Sequence, residues 1–152
     1  MKKQQEQKIM MMDEITKLDD STRVCIGEIK ESVLLIDVIC KTIEGLMPNV
    51  YSELGELGIT QSREWLSNLT EIKESNLWRI SQLKTVIDRC EILEVMLTSI
   101  MDLPDSTALD AISDSISGVR LVTDTIAGYQ VDITNKLKEA YIETEATRRL
   151  LC

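Results

Sequence analysis

Cys25, Cys40, Cys90 and Cys152 are the residues with the most chemistry to offer in this chain, and their spacing offers it little. None forms a Cys-x-x-Cys pair, and with no histidine to complete a ligand set they make a poor zinc site. Cys25, Cys40 and Cys90 fall on apolar helical faces and read as small buried thiols. Together with a beginning that lacks the sustained apolar region of a secretory leader, free thiols of this kind point to a reducing, cytoplasmic setting.

Other catalytic arrangements fare no better. Without histidine, general-base work falls to carboxylates, and the Asp and Glu residues here lie mostly on polar helical faces with no spacing toward one pocket. Di-metal helical bundles need Glu-x-x-His pairs, which this composition forbids. Gly55-Glu-Leu-Gly58 lacks both the preceding strand and the lysine of a phosphate-binding loop. The expectation is a protein without catalytic residues, cofactor or metal.

Charge narrows the partners. A net charge of −9 leaves no basic footprint for nucleic acid. Lys2, Lys3 and Lys8 are interrupted by Glu6 and read as a frayed terminus. The longest uncharged run is Gly45 to Ser52, far short of the roughly 20 apolar residues a spanning helix needs. The remaining class of partner is protein: a second copy or another helical subunit.

The elements that would present such a surface are legible from period. Ile15, Leu18, Thr22, Cys25, Ile29, Ser32, Ile36, Ile39, Ile43 and Leu46 recur in steps of three and four, a heptad seam that predicts a helix over about 10–47. Within Val33 to Leu46, Asp37, Lys41 and Glu44 form one polar stripe, which a strand would not produce. Pro48-Asn49 is expected to end this helix, and residues 48–61, with Gly55 and Gly58, to form a connection.

A second helix is expected over 62–102, with Trp65, Leu69, Ile72, Asn76, Ile80, Leu83, Ile87, Cys90, Glu94, Leu97 and Met101 as its seam, flanked by a second apolar row at Val86, Leu93 and Ile100. The four-residue steps around Asn76 mark a stutter. Leu103-Pro104 punctuates the chain, and Asp105, Ser106 or Thr107 can cap a third helix over 106–151. Its seam is Leu109, Ile112, Ile116, Val119, Thr123, Ile126, Gln130, Ile133, Leu137, Ala140, Thr144, Thr147 and Leu151.

Three helices of similar length predict an all-α fold, an elongated antiparallel three-helix bundle with coiled-coil-like heptad seams in a single domain. An aromatic content of 3%, with no phenylalanine, suits such a narrow core of aliphatic layers.

Two features exceed what that fold needs. Between Val33 and Cys40 only Asp37 is charged, so Val33, Leu34, Leu35 and Val38 form a candidate partner interface, the alternative being a locally thick core. Trp78 lies off the seam and joins that interface as a candidate, whereas Trp65 fits the seam and reads as core. Asn76 and Gln130 occupy seam positions and are candidates for setting register, unless each turns to solvent. Gly118 and Gly128 inside the third helix suggest either close backbone packing or tolerated weak points. The functional expectation is a non-catalytic protein-protein interaction module, a structural or adaptor subunit of a helical assembly. The alternative is a monomeric three-helix docking domain of the trafficking, cytoskeletal or host-factor-binding kind.

Overall fold

The computed structural model describes residues 2–99 and 106–151, with their side chains except at residues 2, 48–54, 57, 58 and 106. Helix runs from Lys2–Ser99 and from Ser106–Leu151, and the first run is broken at Gly55. Gly55 has φ 66° and ψ −157°, a backbone conformation essentially closed to residues with a Cβ. Three helices result: α1 (residues 2–54), α2 (residues 56–99) and α3 (Ser106–Leu151).

The expected connection over 48–61 is therefore a correction. Residues 48–54 continue α1, α2 begins at 56 rather than 62, and the chain turns at Gly55 alone. The reason is conformational. Pro48 removes one hydrogen-bond donor, at about 3 kcal/mol within a helix, but keeps a helical φ. A sharp break needs positive φ, and among the described residues Gly55 is the one that has it. Ile100, Met101, the Leu103-Pro104 punctuation and Cys152 lie outside the described residues.

All three pairs of helices are in contact, an all-α three-helix bundle. Their directions follow from the pairs that meet. Asp37 on α1 bonds Lys73 on α2, and Ile15 and Asp19 face Cys90 and Glu94, so α1 and α2 are antiparallel. Glu14 pairs with Arg120, and Ser32 with Gln130, so α1 and α3 run parallel.

The packing falls into two units, each containing part of every helix. Unit 1 comprises residues 1–27 and 80–128, and its core is Met11, Ile15 and Leu18 with Val86, Cys90, Leu93, Leu97, Leu109, Ile112, Ile116 and Val119. Unit 2 comprises residues 28–79 and 129–152, and its core among the described residues is smaller: Ile36, Ile39, Ile43, Leu69 and Leu137, with half-buried Leu35, Cys40, Leu66, Ile72, Ile133 and Ala140 packed around it.

The α1 seam is buried from Ile15 through Leu46, and Met11 extends it one step further. In α3 every expected seam position is buried or half-buried. In α2 the expected register fails in part. After Leu83 the buried positions are Val86, Cys90, Leu93 and Leu97: Cys90 and Leu97 are the expected seam, and Val86 and Leu93 of the flanking row take the places expected of Ile87 and Glu94. Ile87 is half-buried and Glu94 exposed. The physical reason is the carboxylate: sinking Glu94 would leave a buried charge without a partner, and a shift of one residue puts Leu93 there instead.

Candidate interaction surfaces and a buried polar layer

Exposed apolar side chains gather on particular helical rows. On α2 of unit 1, Ile92, Val95 and Met96 stand at helical spacing and are 58%, 65% and 48% exposed. Across from Ile92 and Met96 on α3 lie Ser115 and Gly118, part of a row Ala111, Ser115, Gly118, Val122 and Thr125 in steps of four and three, all exposed and none charged. Arg89, Ile92, Leu93, Met96, Ser115, Gly118 and Val119 line a groove between these rows. Arg89 is its one charged lining residue. A row of small residues beside a ridge of large ones is the relief into which a further helix packs.

The groove was missed in the sequence because attention to the seam discards the row beside it. The signal was present in the uncharged four-three spacing of Ala111, Ser115, Gly118, Val122 and Thr125. Gly118 and Gly128 are not there to admit another backbone of this chain, since a Cβ built on either meets nothing within 4 Å.

In unit 2, the residues expected at an interface divide by face. Leu34 and Val38, one turn apart, are 64% and 47% exposed, which rules out a locally thick core at those two positions. Val33 and Leu35 are half-buried, and Leu35 packs against the unit 2 core. Leu35 also lines a depression with Val131 of α3, flanked by Glu28, Glu31 and Lys138. Trp78 is 63% exposed, on a different helix from Leu34 and Val38.

Trp65 corrects another expectation. It fits the seam by spacing but is exposed, and it borders a depression with Ile39, Ile43, Asn68, Leu69, Ala140, Glu143 and Thr144. The seam position is right for burial, but opposite it α3 presents Ala140 and Thr144, too small to close over an indole.

Asn76 and Gln130 are both buried, not turned to solvent. The Gln130 Nε2 donates to Ser32 Oγ at 2.6 Å and to Thr134 Oγ1 at 2.9 Å, a bond from α3 to α1 and one within α3. Ser32 directs its own proton to the Glu28 carbonyl, which leaves its oxygen to accept from the Gln130 amide. Asn76 Oδ1 accepts from Arg79 Nη1 at 2.9 Å, which fixes the Asn76 amide because guanidinium only donates. The Arg79 guanidinium lies 5.5 Å from the Tyr129 ring centroid, a cation-π contact that the sequence reading did not anticipate.

The thiols are chemically quiet. Burial, reinforced by Asp19, pushes Cys90 up to about 11, and burial, with Glu44 and Asp37 adding to it, raises Cys40. Both are held as neutral thiols at neutral pH, the form that neither attacks electrophiles nor ligates metal. Cys25 and Cys90 are buried and Cys40 half-buried. Among the described residues no three His, Cys, Asp or Glu side chains gather as metal ligands, and no helix is long and apolar enough to cross a membrane.

No family model, curated protein or solved structure matches this chain. The function therefore has to be argued from its own surfaces.

Proposed function

We propose that the protein is a non-catalytic interaction module, a subunit of a helical assembly, and that the α2/α3 groove of unit 1 takes a helix from a second copy. The observation that carries this reading is the groove itself: small, uncharged Ser115 and Gly118 beside exposed Ile92 and Met96, uncovered by any of the described helices. Burying a side chain such as Ile92 or Met96 against a partner is worth roughly 1.5–3 kcal/mol when complete. A second copy suits the groove because the chain also displays large apolar side chains on exposed helical rows, Leu34 with Val38 and Val95 with Ile92. Side chains of that size fit between small residues on a facing helix.

Supporting the non-catalytic part is the composition, with no histidine, and the neutral thiols of Cys40 and Cys90. Against association at low ionic strength stands the charge of −9 on every copy, a repulsion that salt screens.

Light scattering after size exclusion, under reducing conditions and at two concentrations, tests the reading. The expected mass is a multiple of 17.2 kDa, falling to the single-chain value in Gly118→Glu and Met96→Glu while far-ultraviolet circular dichroism stays helical. A parent chain that weighs 17.2 kDa at both concentrations and in high salt rejects self-assembly.

A further inference from the structure

The buried polar residues of the seams are of two kinds. Thr22, Thr123 and Thr144 return their hydroxyl protons to carbonyls of their own helix, Leu18, Val119 and Ala140, at 2.6, 2.9 and 2.7 Å. Such bonds survive any sliding of one helix along another. At Gln130 the bonding is different, because it reaches from α3 to Ser32 of α1 and the Thr134 hydroxyl lies 3.3 Å from the same oxygen.

Two atoms of this layer have no hydrogen-bond partner, Asn76 Nδ2 on α2 and Gln130 Oε1 on α3. One is a donor and the other an acceptor. Arg79, bonded to Asn76 and stacked on Tyr129 beside Gln130, places them at one level of unit 2.

We propose that Ser32, Asn76, Gln130 and Thr134 form a register lock, a polar layer that selects where α3 sits along α1 and α2. The need for a lock follows from the seams. Gly55 joins α1 to α2 directly and ties their register through the chain. Six residues lie between Ser99 and Ser106, and the side chains of α3 hold it to α1 through Gln130 and Ser32. Its seam repeats every seven residues in apolar side chains, and a slip of one heptad would still set apolar on apolar at most levels. At this level the slip fails. Gln130 would meet Cys25 or Ile39, one heptad either side of Ser32, and its amide would lose the acceptor it has now. The layer thus costs stability in the native register, through its two orphan atoms, and costs more in every other.

The test replaces both amides, Asn76→Leu/Gln130→Leu, in the full chain. The two tryptophans give two indole N–H signals in a ¹⁵N–¹H correlation spectrum, and Trp65 reports on α3 because Ala140, Glu143 and Thr144 lie beside it. The expected result is an equilibrium constant for folding at least tenfold higher, with the Trp65 signal split into two or more. A second chain moves the three buried members of the layer by one heptad, one on each helix: Ser32→Ile/Ile39→Ser, Asn76→Leu/Leu69→Asn and Gln130→Leu/Leu137→Gln. It is expected to restore a single Trp65 signal. A double variant that fails to fold, or that keeps one sharp Trp65 signal, overturns the proposal. So does a moved layer that leaves the signal split.

Discussion

Unit 1 and unit 2 are built from the same three helices and differ in what they bury. Unit 1 packs an almost wholly aliphatic core, from Met11, Ile15 and Leu18 across to Leu97 and Leu109, and its buried Thr22 and Thr123 satisfy themselves within their own helices. Among the described residues unit 2 has fewer fully buried apolar side chains, a ring of half-buried ones, and a polar layer in which Gln130 of α3 bonds Ser32 of α1. The difference teaches that burial and specificity are supplied by separate stretches of one seam. Apolar layers contribute most of the stability and are indifferent to a heptad's shift. Polar layers contribute little or oppose folding, yet distinguish one register from the next.

The sharpest way to break that comparison is to open a cavity in each core. Leu97→Ala, at a 1% exposed position in unit 1, is expected to cost 3–5 kcal/mol by urea denaturation, within the range of about 2–5 for such truncations. Leu69→Ala, 8% exposed in unit 2, should cost about 2 kcal/mol on the same scale. Equal losses would mean that the two cores are equally dense.

Next in size is the contrast between hydroxyls. Ser32→Ala removes the 2.6 Å acceptor of Gln130 and should cost about 1–3 kcal/mol, the penalty of a buried donor left unpaired. Thr22→Val, whose lost hydroxyl served only the Leu18 carbonyl, should stay within about 1 kcal/mol of the parent. Matching losses would show that the layer has no special place.

Gly118→Ala and Gly128→Ala, both in unit 1, are each expected to stabilise by about 0.5–1 kcal/mol, because both sites are helical, exposed and open to a Cβ. If the groove holds a helix as tightly as proposed, Gly118→Ala should also weaken association in light scattering whereas Gly128→Ala should not.

The smallest effect sharpens the comparison at the surface. Lys73 bonds Asp37 at 2.7 Å in unit 2, and this carboxylate raises the lysine's pKa. Arg120 meets Glu14 at 3.3 Å in unit 1. All four side chains are substantially exposed, so Asp37→Asn and Glu14→Gln should each change stability by less than about 1 kcal/mol, the more so in 1 M salt.

The heptad period of α1 and α3 by itself determined which of their residues are inside, from Ile15 to Leu46 and from Leu109 to Leu151, because a 3.5-residue repeat marks one face whatever packs against it. It also carried the all-α class and the count of three helices. What it left undecided depends on neighbours. Two apolar rows competed on α2, and only the packing chose Val86 and Leu93 over Ile87 and Glu94. Trp65 has a core spacing, but the residues across from it on α3 leave it exposed. Pro48 looked like the stop, yet the backbone turns where positive φ is available, at Gly55. Asn76 and Gln130 were ambiguous until three helices closed around them, because whether a seam amide is buried, and what it bonds, is fixed by side chains far away in sequence. Period is a property of one helix, whereas register and the uncovered groove are properties of how helices meet.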